Sequence, residues 1–334
     1  MPVDLEHTWR ALEASPVSGR GGRLTRRLLP ESPHDLFVGV EHPGGCRFFM
    51  VAVPAGPASR PQERQLARGL TLRVGPDPTS AIVRVEVMLD DPSYADVFSG
   101  LIADVIVHLL AQPAHADPAS VVIERLRRWQ TLLTRLDPQG LSMERQRGLY
   151  GELWVLRHRL LPAAPPSVVV GGWQGPENAN QDFQFPGLAV EVKTSAGAQP
   201  QQIRVASERQ LDDTGVGRLY LLHLALDVRA GGVGESLPEI VEDLHAQLAS
   251  DPARLDFDDR LLRSGYLDTH AARYELRYTV RRESLFSVRA GFPCITEAML
   301  PVGVGNVTYQ VTWAQCQPFT VDITEIHRLL EEAS

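Results

Sequence analysis

The stretch Gln181-Asp182-Phe183-Gln184-Phe185-Pro186-Gly187-Leu188-Ala189-Val190-Glu191-Val192-Lys193 constrains the fold of this chain more than any other. Pro-Gly is a turn pair, and the residues on both sides of it alternate between apolar and polar, the period of a β-strand. A tight connection at Pro186-Gly187 predicts a hairpin in which Phe185 opposes Leu188 and Asp182 opposes Glu191. One face then carries Phe183, Phe185, Leu188, Val190 and Val192. The other carries Asp182, Gln184, Glu191 and Lys193, so two carboxylates and an ammonium fall within cross-strand reach. Pro-Gly is not a preferred hairpin turn, and a bulge would shift this register.

Two carboxylates converging at one end of a sheet suit a hard divalent cation such as Mg²⁺, which takes oxygen ligands. Glu191 and Lys193 lie two residues apart and project to the same side. Lys193 is therefore placed to hold, or help deprotonate, a water aimed at phosphorus. The same alternation also suits a solvent-exposed hairpin with an ordinary cross-strand ion pair, and the pattern alone leaves both readings open.

Composition singles out one member of this set. Among 33 basic residues Lys193 is the only lysine; the others are arginine. A GC-rich genome that drifts lysine codons to arginine accounts for the arginines but not for the exception. A compact ammonium and a planar guanidinium are not interchangeable where one donor must fit beside a small cluster of charges.

Upstream, Ser142 is placed to cap a helix over about 143–161. Leu149, Leu153, Leu156 and Leu160 form its apolar stripe, and Glu152 falls at the edge of that stripe. Gly148 and Gly151 would permit close approach to a sheet. A carboxylate at a packing edge costs free energy unless it is hydrogen-bonded, paired or bound to a metal. Glu152 is either a snorkelling surface residue or a third acid reaching the hairpin.

The rest of the chain reads as mixed α and β. Its 334 residues suit one large or two medium domains. Leu5, Trp9 and Leu12 mark an amphipathic start, followed by an Arg/Gly-rich stretch. Strands are expected at 36–40, 47–53, 70–74 and 81–89, and helices at about 92–111 and 118–136. Arg125, Arg127 and Arg128 on the second helix read as a solvated face. Asp137-Pro138-Gln139-Gly140 breaks the chain. It separates an N-terminal α+β module, 1–137, with an accessory or docking role, from a second domain, 138–334. In that domain Pro162, Pro165 and Pro166 end the helix, and the hairpin spans 180–194. A strand near 201–206, a short helix from Ser207 and an apolar strand at 218–226 follow. The capping box Ser236-x-x-Glu239 opens a helix to about 249. A helix near 256–264, strands at 273–289 and 306–313, and a last helix at 322–333 complete the chain. Asp256, Asp258 and Asp259 read as acidic capping of a helix N-terminus rather than as a metal cluster.

Several function classes are disfavoured. The ten histidines show no HxxxH or HExxH spacing, the glycine runs at 231–234 and 303–305 lack the Lys-Ser/Thr of a phosphate loop, and no G-x-S-x-G elbow occurs. Cys46, Cys294 and Cys316 are few and scattered, which fits a reducing cytoplasm better than a disulfide framework. No apolar run approaches the roughly 18 residues of a membrane span, so no membrane association is expected. A net charge of −8 argues against a broadly basic nucleic-acid coat, though not against a local groove beside a metal.

With these residues in place, the chain resembles the PD-(D/E)xK nuclease superfamily. More narrowly, it is similar to an uncharacterised bacterial family of PD-(D/E)xK-motif proteins found among restriction and phage-defence genes. Gly148-Leu-Tyr-Gly-Glu152-Leu, Trp173-Gln-Gly-Pro176, Gln181-Asp182-Phe183, Val190-Glu191-Val192-Lys193-Thr194-Ser195 and Ala206-Ser207-Glu208-Arg209-Gln210-Leu211 carry the likeness. The resemblance implies an α/β (α+β) restriction-endonuclease-like core, a central mixed sheet flanked by helices. It also implies DNA phosphodiester hydrolysis dependent on Mg²⁺ (or Mn²⁺), with Asp182, Glu191 and Glu152 as metal-binding acids and Lys193 as the catalytic lysine. Ser207 and Gln210 fall where such folds often place a polar residue beside the site. DNA is the implied partner, with other defence-system proteins (an ATPase, a DNA methyltransferase) and a second copy of the chain as further ones. A nuclease-fold DNA-binding or assembly subunit with weak or no hydrolysis is the alternative. Gln181 departs from the pattern, standing where the proline of the signature would be. Trp173 reads as core or as a base-stacking platform, core being the plainer choice.

Overall fold

The computed structural model describes residues 4–16, 22–54, 62–67, 69–77, 82–113, 117–133, 140–177, 179–197, 202–249 and 251–333. Two compact units emerge, Met1–Gly140 with Leu267–Thr269, and Leu141–Tyr266 with His270–Ser334. The expected chain break at 137–139 lies outside the described residues.

The first unit begins with α1 (Leu5–Glu13) and a strand β1 (Gly22–Leu28). It continues with β2 (Asp35–His42), β3 (Cys46–Pro54), β4 (Gln62–Ala67), β5 (Leu70–Pro76) and β6 (Ile82–Leu89), then α2 (Ala95–Ala111) and α3 (Pro118–Leu133). The six strands form an antiparallel sheet in the order β1-β2-β3-β6-β5-β4. The strands β1 and β4 escape sequence reading because polar side chains dominate both; in β1 only Leu28 is buried. Two expectations need correction here. The stretch Pro92–Ala111 is long and apolar enough to cross a membrane by length and composition, with mean hydropathy 1.6. Its Val97, Phe98, Leu101, Ile102, Val105 and Leu109 are buried, and its Asp104 accepts hydrogen bonds from Arg125 and Trp129, the pattern of a core helix. Arg125 is accordingly buried, not part of a solvated face.

The second unit opens with α4 (Met143–Val155), capped by Ser142, whose hydroxyl accepts from Arg145 N. One π-helical turn, Leu156–Leu160, extends it. There follow α5 (Pro166–Gly172), β7 (Phe183–Phe185), β8 (Leu188–Ala196), β9 (Gln202–Val205), β10 (Arg218–Ala230) and β11 (Glu235–Ser236). Then come α6 (Leu237–Gln247), α7 (Ala253–Arg263), β12 (Leu276–Val288), β13 (Tyr309–Thr312), α8 (Trp313–Cys316), β14 (Thr320–Val321) and α9 (Thr324–Ala333). The predicted capping box at Ser236 and Glu239 is present at the start of α6. The predicted helix from Ser207 is instead a turn over residues 208–211. Asp256 and Asp258 lie within α7, where they pair with Arg260 and Arg254.

The central sheet runs β11-β12-β10-β8-β7, with β14 on β12. It is mixed: β8 and β10 are parallel, and the other pairs are antiparallel. β10 is buried over most of its length, as expected of a strand covered on both faces. On one side Val190, Val192, Leu222 and Leu224 join the leucine stripe of α4 and the apolar residues of α6, α7 and α9. On the other, Ala189, Leu219 and Leu221 pack against Ile203, Val205, Val311 and Phe292. The α4 helix lies close on β8 because Gly151 has no side chain. A methyl there would meet Thr194 Cγ2 at 2.3 Å, whereas one at Gly148 would meet nothing within 4 Å among the described residues.

Candidate active site

The hairpin forms in the predicted register: Phe183 pairs with Val190, Gln184 with Ala189, and Phe185 with Leu188. Its apolar face, from Phe183 to Val192, is buried in the core shared with α4. The β7 strand, however, is only three residues long against nine in β8. Beyond it the ladder is completed by a side chain, since Val192 N donates to Asp182 Oδ2 at 2.8 Å. The Asp182 carbonyl meanwhile accepts from Gln174 N at 2.7 Å and Gly175 N at 2.9 Å. A short edge strand thus turns Asp182 into part of the sheet and fixes its carboxylate beside Glu191.

Glu152 arrives from the helix layer. The buried Trp173 indole donates to its Oε2 at 2.8 Å, and Trp173 is itself held by Phe257 and by Arg260, which donates to its carbonyl. A methyl on Gly175 would lie 2.7 Å from Glu152 Oε2 and 3.1 Å from Asp182 Oδ1. The two carboxylates therefore converge on a space that glycine leaves open.

Glu191 is fully buried, and among the described residues neither of its oxygens accepts a well-aligned hydrogen bond. The Lys193 ammonium lies 2.6 Å from Oε1 as an ion pair. Lys193 also donates to Gln210 Oε1 at 3.0 Å, and that oxygen accepts from Ala206 N at 2.9 Å. Burial and the neighbouring Asp182 charge push Glu191 up to about 8, against the pull of Lys193. Burial and Asp182 likewise hold Glu152 well above the usual carboxylate range, and burial raises Asp182. Burial acts against the Lys193 ammonium, but Glu191, Asp182 and Glu152 outweigh it and keep the lysine protonated above its ordinary range. Burial, and for the two glutamates the nearby Asp182 as well, thus favours the protonated forms of these acids around the one ammonium, so the site holds less negative charge than three free carboxylates would.

Asp182, Glu191, Lys193, Glu152 and Gln210 thus come together. Ser207 does not join them through any hydrogen bond among the described residues; its hydroxyl accepts from Arg209 N and faces Glu208. Sequence reading undervalued two residues. Trp173 is core, but its indole also aims Glu152. Gln181 is buried, donates to Arg209 O at 3.0 Å and accepts from Gln184 Nε2 at 2.9 Å. Beside Lys193 on β10, His223 is buried and bonded to Ser195 Oγ at 3.0 Å, and burial with Arg282 nearby lowers it to about 4. A neutral imidazole there shows no sequence signal, because its neighbours come from pairing between distant strands.

Carboxylates are the side chains that a hard divalent cation takes. All three donors are carboxylates, Glu191 carries oxygens without aligned donors in a buried position, and Gly175 leaves the space between Glu152 and Asp182 clear. An open cleft of about 530 Å³, bordered by Gln181, Gln184, Arg209, Asp212 and Gly217, lies next to the hairpin turn.

Residues 5–313 match the model of a family described as "Putative PD-(D/E)XK family member, (DUF4420)". No curated protein and no solved structure matches the chain.

Proposed function

The chain belongs to the DUF4420 family, and on that premise we propose that it is a Mg²⁺-dependent DNA endonuclease of a restriction or phage-defence system. The observation that carries this reading is the convergence of Glu152, Asp182 and Glu191 beside Lys193 at the edge of a mixed sheet. A structural ion pair needs one acid for one base. Three acids around one base, one of them buried without aligned hydrogen bonds, cost free energy that a cation would offset.

Asp182, Glu191 and Glu152 would hold Mg²⁺ (or Mn²⁺), which when bound supplies Lewis-acid polarisation of a phosphate oxygen and neutralises charge that develops on it. The remaining steps belong to the chain. Lys193, kept protonated by its acidic neighbours, donates to the phosphate or to the attacking water and stabilises the charge of the transition state. Gln210 takes one ammonium hydrogen and so limits the directions in which Lys193 points the others. Trp173 keeps Glu152 turned inward.

Purified protein with Mg²⁺ or Mn²⁺ should cut DNA, and full cutting by Lys193→Ala would sink the assignment. The net charge of −8 favours one second reading, a nuclease-fold subunit that binds DNA or partners with little hydrolysis. That reading expects binding that survives Asp182→Ala and no metal-dependent cleavage. A third reading is that the N-terminal unit docks a partner that directs the catalytic one; an ATPase, a DNA methyltransferase and a second copy of the chain are the partners proposed for the protein as a whole.

A further inference from the structure

Gln181 replaces the proline of the resembled signature, and a proline could make none of the contacts that Gln181 makes. Its side chain is buried, and both ends of its amide are engaged. The Nε2 donates to Arg209 O at 3.0 Å and lies 3.5 Å from Gln210 O, while Oε1 accepts from Gln184 Nε2 at 2.9 Å. The segment it grips is a turn without helix or strand ladder of its own. That turn carries Gln210, whose Oε1 accepts from Lys193 Nζ.

We propose that Gln181 is a positioning residue for Lys193: its amide clamps the Arg209–Gln210 backbone to the hairpin and so sets the Gln210 oxygen that receives the ammonium. The physical need is specific. Lys193 lies 2.6 Å from Glu191, and the Gln210 oxygen, a neutral acceptor at 3.0 Å, fixes the direction of a second ammonium hydrogen. An acceptor carried by an irregular turn is useful only if the turn is held, and a buried amide bonded to a backbone carbonyl holds it in one place. The role of Lys193 rests on the nuclease reading above; the clamp itself does not.

Because Lys193 is the only lysine, protein grown on ¹³C,¹⁵N-lysine gives one lysine side-chain signal. At fixed pH, Gln181→Met, similar in volume but without the amide, should move that signal in the same direction as Gln210→Met. Adding Gln181→Met to Gln210→Met should move it no further. In DNA cleavage each single variant should lower kcat about tenfold with KM changed by less than about twofold, and the double variant should be no slower than either. An unmoved lysine signal in folded Gln181→Met would overturn the proposal, as would rate losses that multiply in the double variant. Should Gln181→Met fail to fold, Gln181→Glu decides at alkaline pH, where the new carboxyl is ionised: it keeps the acceptor for Gln184 but sets a carboxylate oxygen against the Arg209 carbonyl. A lysine signal at the wild-type position in that variant would also overturn it. The signal requires no cleavage, so a wild-type protein that cuts no DNA counts against the nuclease reading and leaves the clamp to be decided by the spectrum.

Discussion

The Trp173 indole donates to Glu152 Oε2 at 2.8 Å, joining a wholly buried aromatic to an acid whose protonation is favoured by burial and by Asp182. Trp173→Phe removes the donor and, because phenyl is smaller than indole, also leaves a small cavity at a wholly buried position. Divalent-metal affinity should fall about tenfold, the worth of one hydrogen bond to the carboxylate in its ionised, metal-bound form, and the melting temperature should fall modestly through the cavity. Isothermal titration with Mn²⁺, alongside a thermal melt, measures both; undiminished affinity would remove Trp173 from the site.

Gly175→Ala tests the shared space between two acids. The added methyl would sit 2.7 Å from Glu152 Oε2 and 3.1 Å from Asp182 Oδ1, so one carboxylate must turn away. Metal binding and DNA cleavage should both drop by at least about tenfold while the fold persists, since geometry loosened by about 1 Å costs this much or more. Wild-type affinity in the alanine variant would mean that the two acids do not share a ligand.

Stability should depend on pH in a direction set by Glu191. Its folded value, about 8, lies above the ordinary 4.5, so the folded state binds the proton more tightly than the unfolded one. The contribution is complete below pH 4.5, declines above that and is lost as pH rises through about 8. Metal-free protein should therefore melt at lower temperature at pH 8.5 than at pH 5.5, the span over which Glu191 loses its proton. Glu191→Gln should flatten that slope, and Mg²⁺ should stabilise more at the higher pH, where it meets carboxylates already ionised. A melting temperature that rises across this range would contradict the account.

Lys193→Arg probes why one lysine stands among arginines. The guanidinium is larger and planar, and it cannot occupy the position 2.6 Å from Glu191 and 3.0 Å from Gln210 Oε1 without moving one of them. Cleavage should fall about a hundredfold or more, the usual cost of losing a positioned charge in the transition state. Rates within a few-fold of wild type would reduce Lys193 to a generic cation.

Away from the chemistry, Gly151→Ala should destabilise the second unit by about 1–3 kcal/mol, because its methyl would press into Thr194 Cγ2 and force α4 off β8. Gly148→Ala, facing open space, should be neutral or slightly stabilising through helix propensity. Denaturant titrations of the two variants give the comparison, and equal stabilities would show that α4 does not lie where Gly151 requires.

Elements that carry their own period were legible in the sequence. The hairpin register follows from alternation around Pro186-Gly187, and the start of α4 follows from Ser142 and the leucine stripe. Elements whose identity depends on a neighbour were not. The arginine-rich β1 is a strand because β2 offers its edge, and Arg125 is buried because Asp104 faces it. The Ser207 segment carries helix-like signals yet forms a turn held by Gln181.

The sequence by itself determined which residues could form the site. Alternation puts Asp182, Glu191 and Lys193 on one side of a hairpin, and helical spacing leaves Glu152 at the rim of its stripe. Whether these groups meet, and in what charge state, was decided only by the tertiary structure. The shortness of β7 gave Asp182 a backbone donor, close packing over Gly151 brought Glu152 to the sheet edge, and burial raised the acids around Lys193. Side-chain direction is a local property of the backbone, whereas convergence and desolvation come from segments far apart in the chain.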